Sequence, residues 1–128
     1  MRAIAIDDIL EKDWQRTVRD LATTLGWKRA YHTFDSRRSD VGFPDLVLVR
    51  DRVVFLELKR EKGKVTAQQA GWLAALHHAG AEVYLSRPRH LQAVATVLGP
   101  RTGPGYQQAR RELLLELDTI LASEATAA

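Results

Sequence analysis

Asp45, Glu57 and Lys59 are the residues of this chain whose types and spacing could do chemistry. Asp45 closes the run Gly42-Phe43-Pro44-Asp45, eleven residues (46–56) separate it from Glu57, and one residue separates Glu57 from Lys59. Hydrolysis of a phosphodiester needs a nucleophilic water and stabilisation of charge on the phosphate. Mg²⁺ or Mn²⁺ held by carboxylates supplies both, and Mg²⁺ keeps several of its waters. Asp45 and Glu57 can hold such a cation. Lys59 beside it would lose a proton more easily and could orient or deprotonate the water. Acid-x-Lys triplets are common, however. The same residues also fit a hairpin whose polar ends meet solvent, with Glu57 and Lys59 as a surface pair.

The elements that must position these residues follow from periodicity. Leu46 to Val49 and Val53 to Leu58 are short apolar runs separated by Arg50-Asp51-Arg52, which reads as a hairpin buried on both faces or nearly so. Asp45 starts one strand and Glu57 ends the other, so the turn brings them side by side. The two-residue strand period puts Glu57 and Lys59 on one face and Leu58 on the other. Upstream, Leu10, Trp14, Val18, Leu21 and Leu25 form one helical face over about residues 8–25. Asp7 or Asp8 can cap its start, and Gly26 can end it in a left-handed turn. Trp27 to Phe34 reads as a strand, and 35–42 as a polar loop.

Downstream, 60–65 is a charged loop. Thr66 opens a helix over about 67–79 that carries Trp72, Leu73 and Leu76 and stops at Gly80. A further strand spans 81–86, and Pro88 suits the first turn of a helix that runs to Leu98. A crossover helix between the third and fourth strands implies that those two are parallel. The expected class is mixed α/β, with order αβββαβ around a mixed central sheet and helices added at the C-terminus. The expected organisation is a domain over 1–100, a linker over 101–105, and a C-terminal helix and tail over 106–128. In that last segment Leu113, Leu114, Leu117, Ile120 and Leu121 make an apolar stripe. The stripe could pack on its own domain or pair with a second copy.

A chain of 128 residues allows one modest core. No apolar run approaches the roughly 18 residues of a membrane span, and no basic-then-apolar leader is visible, so a soluble cytoplasmic protein is expected. With no cysteine, disulfides and thiolate metal sites are excluded. The net charge of +3 and a pI near 9.5 are compatible with nucleic acid without requiring it.

Read together, the motifs resemble the stand-alone VRR-NUC domains of phages and bacteria, a branch of the PD-(D/E)xK nuclease superfamily. The likeness covers roughly 9–98. It includes Glu11, Tyr31-His32-Thr33 with Asp35-Ser36-Arg37, Gly42-Phe43-Pro44-Asp45-Leu46, Glu57-Leu58-Lys59, Gly63-Lys64, and Gln69 with Trp72-Leu73. Nothing departs from the pattern at the metal or lysine positions. The resemblance implies a metal-dependent nuclease whose metal lies among Glu11, Asp45, Glu57 and the backbone carbonyl of Leu58, with Lys59 as the catalytic lysine. It also implies products with 5′-phosphate and 3′-hydroxyl ends, and homodimers, which would suit the paired cuts of Holliday junction resolution.

Several of these residues have a second reading. Glu11 is also a first-turn acid that favours the helix dipole. The resemblance places Gln69 near the site, holding substrate or water, but Gln69 is also the N3 residue of a capping box begun by Thr66, and one rotamer cannot serve both. His32 on a strand is more often packed than catalytic. His77, His78 and His90 read as surface, and no zinc site is expected. Arg37, Arg38, Arg60, Lys62 and Lys64 flank the proposed site and would neutralise phosphates without reading bases, or simply face solvent.

The expected activity is a Mg²⁺- or Mn²⁺-dependent endonuclease on branched DNA such as Holliday junctions. A flap or nicking endonuclease with the same site is the near alternative. A non-catalytic DNA-binding module, or a restriction-type enzyme with little room for target recognition, are the more distant ones.

Overall fold

A computed structural model describes residues 4–33 and 40–127. Its elements follow the chain as α1 (Glu11–Thr24), β1 (Arg29–His32), β2 (Leu46–Val49), β3 (Val53–Leu58), α2 (Ala67–His78), β4 (Glu82–Ser86), α3 (Leu91–Val97) and α4 (Tyr106–Ala127). Short 3-10 turns precede α1 and α3, at Ile6–Asp8 and Pro88–His90. The strands form one mixed sheet in the order β1-β2-β3-β4. β1 and β3 flank β2 antiparallel, and β4 lies parallel to β3 with Glu57 opposite Leu85 and Leu58 opposite Ser86.

Strand alternation sorts the core into two sides. Leu46, Leu48, Val54, Leu56 and Leu58 point to the side where Trp14 and Val18 of α1 and Val94 and Val97 of α3 pack. Phe55 and Val83 point the other way, toward Leu73 of α2 and Leu117 of α4. Each fully buried side chain of this size contributes roughly 1.5–3 kcal/mol. The cover on the second side stops short of the hairpin turn, where Tyr31, Val49 and Val53 are exposed. The hairpin, expected to be buried on both faces or nearly so, is fully buried on one; on the other Glu57 is buried, Val47 and Phe55 are half-buried, and Val49 and Val53 are exposed.

Three more local expectations are corrected. Asp7 and Asp8 do not cap α1, because they lie in the preceding 3-10 turn and the N-cap is Leu10, which makes no side-chain cap bond. Leu10 consequently stands before the helix and is exposed rather than on its buried face. His90 is buried, not superficial, and its Nδ1 accepts a hydrogen bond from the Arg87 amide at 3.0 Å. Gly26 does end the first helix at a φ of 92°, a region open chiefly to glycine.

The apolar stripe of α4 has a clear role within the chain. Leu113 and Leu117 are fully buried, one in each cluster, so packing on its own domain is what they serve. The start of α4 is tied to the sheet by Tyr106, whose hydroxyl donates to Glu82 at 3.2 Å. Glu82 also accepts from Arg52 Nε at 2.9 Å and from the Tyr84 hydroxyl at 2.8 Å.

Candidate active site

The hairpin register sets Asp45, one residue before Leu46, beside Glu57, one residue after its partner Leu56. Asp45 is fixed from both sides. Its Oδ2 accepts from the Leu58 amide at 2.8 Å. Its carbonyl accepts from the Thr33 amide at 2.8 Å, while the Thr33 hydroxyl donates to the Pro44 carbonyl at 2.7 Å. The loop before it docks on the first turn of α2 at Gly42, which has a φ of 88°. A Cβ there would stand 2.5 Å from the Gln68 carbonyl carbon. Phe43 then seats edge-on against Trp72, with ring centroids 5.0 Å apart.

Glu57 is 1% exposed, and its Oε2 is buried with no hydrogen-bond partner. Burial, then the neighbouring charge of Asp45 and a hydrogen bond shared with it, push the Glu57 carboxyl up to about 10. In the absence of a cation this acid is therefore protonated at neutral pH. Glu11, at the first position of α1, is also raised, by burial first, although the charge of Lys59 opposes the shift. Lys59 is 8% exposed, and its Nζ lies 4.0 Å from Glu11 Oε1. The Lys59 amide donates to the Ser86 carbonyl at 3.0 Å, extending the parallel β3–β4 pairing one residue past the strand.

The structure thus gathers Glu11, Asp45, Glu57 and Lys59 at one end of the sheet. Among the described residues, no three His, Cys, Asp or Glu side chains stand close enough together to hold a metal as they are placed. The donor set nonetheless suits a hard divalent cation. It consists of carboxylate and carbonyl oxygens only, and two carboxyls are forced together in burial with one oxygen left unpartnered. A cation there would relieve the repulsion between the two carboxylates.

Gln69 serves the capping box. Its Oε1 accepts from the Thr66 amide at 2.9 Å, and its own amide donates to Thr66 Oγ1 at 3.2 Å. A catalytic use of Gln69 would require another rotamer. Arg60, Lys62 and Lys64 are exposed on the loop that follows Lys59, where Lys62 pairs with Asp7 at 3.1 Å. Arg37 and Arg38, and Asp35 and Ser36 beside them, lie outside the described residues. Thr33 and Phe43 also shape the site, although the motifs that contain them assign them no part.

No helix among the described residues is long and apolar enough to cross a membrane. Compared with known protein families, residues 8–89 match the model of the VRR-NUC domain. No curated protein and no solved structure matches the chain.

Proposed function

The chain belongs to the VRR-NUC domain family, a nuclease family with DNA as substrate, and from that premise we propose that it is a metal-dependent endodeoxyribonuclease acting on branched DNA, with Holliday junction resolution as its reaction. The sheet and its helices then correspond to the PD-(D/E)xK core. The observation that carries the metal-dependent reading is the buried Asp45–Glu57 pair, in which Glu57 Oε2 has no hydrogen-bond partner. Glu11, Asp45, Glu57 and the Leu58 carbonyl would hold Mg²⁺ or Mn²⁺. When bound, the cation neutralises charge developing on the phosphate and makes water more acidic.

The chain's own groups do the rest. The Leu58 amide and Thr33 keep Asp45 in place before substrate arrives, so no binding energy is spent on ordering it. Lys59 Nζ, restrained near Glu11 and largely shielded from solvent, orients the attacking water and donates to a phosphate oxygen. Water attacks phosphorus in line, the bond from phosphorus to the 3′ oxygen breaks, and that oxygen takes a proton. The products are a 5′-phosphate and a 3′-hydroxyl. Arg60, Lys62 and Lys64 supply sequence-independent phosphate contacts. A homodimer would place two such sites about a twofold axis, as symmetric junction cuts require.

The test is cleavage of labelled four-way junction, flap and linear duplex DNA with Mg²⁺, Mn²⁺ or EDTA. Symmetric, metal-dependent cuts in the junction are expected. Flap cutting alone would keep the chemistry and change the substrate to that of a flap endonuclease. Junction binding without any cleavage would leave a non-catalytic module.

A further inference from the structure

The loop after Lys59 belongs to no helix or strand, yet it carries the exposed basic residues Arg60, Lys62 and Lys64. One buried side chain reaches three of its backbone carbonyls. Arg87, the residue that follows β4, is 7% exposed and turns its guanidinium under the loop. Its Nη1 donates to three backbone carbonyls, those of Arg60 at 2.9 Å, Glu61 at 3.2 Å and Gly63 at 2.8 Å. Carbonyl oxygens alone do not neutralise a buried guanidinium, and the countercharge comes from far along the chain. Arg87 Nε donates to Oε1 of Glu116, on α4, at 2.7 Å. Glu116 Oε2 accepts from Arg89 Nη2 at 2.7 Å, and Arg89 in turn pairs with Glu61 of the loop. Removing one partner of such a buried pair leaves the other charge uncompensated. Without Glu116 the Arg87 guanidinium would be drawn toward water, and the three carbonyls would lose their donor.

We propose that Arg87, held in place by Glu116, is a positioning residue for the active site, fixing the 60–63 loop so that Lys59 and Arg60 meet the phosphate in register. α4 lies beyond the residues that match the family. It thereby contributes to the active site as well as to the core. The inference rests on the nuclease reading for its catalytic half. Its structural half, that Arg87 and Glu116 order the loop, stands apart from it.

The experiment compares full-length wild type with Glu116→Ala, Glu116→Gln and Arg87→Lys. Leu114→Ala serves as a control that weakens the packing of α4 without touching Arg87. Amide hydrogen exchange is followed at 60–64, and kcat and KM are measured with saturating Mn²⁺ and four-way junction. In Glu116→Ala and Arg87→Lys, exchange at 60–64 should quicken at least about tenfold while β3 and β4 stay protected. In the same variants kcat should fall about 10- to 100-fold, the scale of a small misplacement of reacting groups. Glu116→Gln, which keeps an acceptor but loses the countercharge, should recover only part of both, and Leu114→Ala should lower Tm with kcat unchanged. Unchanged exchange at 60–64 would overturn the hold on the loop. Faster exchange with unchanged kcat, or an equal loss of kcat in Leu114→Ala, would overturn the positioning role. A wild type that cuts no DNA would overturn the nuclease reading and with it the catalytic half, and exchange would still decide the hold on the loop.

Discussion

Replacing Glu57 by glutamine should make the metal-free protein more stable, although it removes a proposed metal ligand. Glu57 has an ordinary carboxyl value of 4.5 when unfolded and about 10 when folded. At pH 7 folding must therefore load a proton onto this acid. The interval from 4.5 to 7 is about 2.5 pH units at about 1.36 kcal/mol each, a cost of about 3 kcal/mol. The sign follows from proton counts. Between 4.5 and about 10 the folded state holds one more proton than the unfolded state, so wild-type stability falls as pH rises through that window. Glutamine has no proton to load, and its amide can donate to Asp45. Urea denaturation in EDTA at several pH values should give Glu57→Gln an advantage of about 1–3 kcal/mol at pH 7. The advantage should shrink to nothing near pH 4.5. Mn²⁺ should reverse the order, because a ligand at 100 times its Kd stabilises by about 2.7 kcal/mol and only wild type binds it tightly. Curves for the two proteins that stay parallel from pH 5 to 8 would refute the reasoning, as would equal stabilisation of both by Mn²⁺.

Other perturbations separate the remaining parts of the account. Gly42→Ala should cost more than about 2 kcal/mol in denaturation experiments, combining left-handed strain with a Cβ 2.5 Å from the Gln68 backbone; a loss below about 0.5 kcal/mol would show that the loop docks elsewhere. Gln69→Ala should lose about 1 kcal/mol from the capping box and leave kcat intact, and a large fall in kcat would return Gln69 to the site. Leu113→Ala should lose about 2–5 kcal/mol if α4 completes the core, whereas a near-neutral result would mean that the helix is only loosely attached.

What the sequence revealed depended on the distance over which each signal acts. The hairpin, the parallel fourth strand and the Thr66–Gln69 capping box are set by a few neighbouring residues, and each was legible. The pairing of Asp45 with Glu57 was legible too, because a tight turn at a known place fixes the register of a hairpin. The Leu113 stripe showed that α4 has an apolar face but not what would cover it, since periodicity does not identify a partner. His90 was misread because its burial depends on packing around the 3-10 turn. Arg87 and Glu116 are 29 residues apart and share no periodicity. Only the fold brings that arginine under the loop, so nothing in the chain's local pattern could have singled it out. Leu10 lies off the buried face for a smaller reason: the helix begins at Glu11 rather than at about residue 8.

The most direct test of the central claim is Mn²⁺-dependent cleavage of a four-way junction by wild type and Lys59→Ala, with DNA affinity measured in parallel. Wild type should cut, and EDTA should abolish the cutting. Lys59→Ala should bind junction within about twofold of wild type yet cut about 10²–10⁴-fold more slowly. Undiminished cleavage by Lys59→Ala, or cleavage by wild type that persists in EDTA, would contradict it.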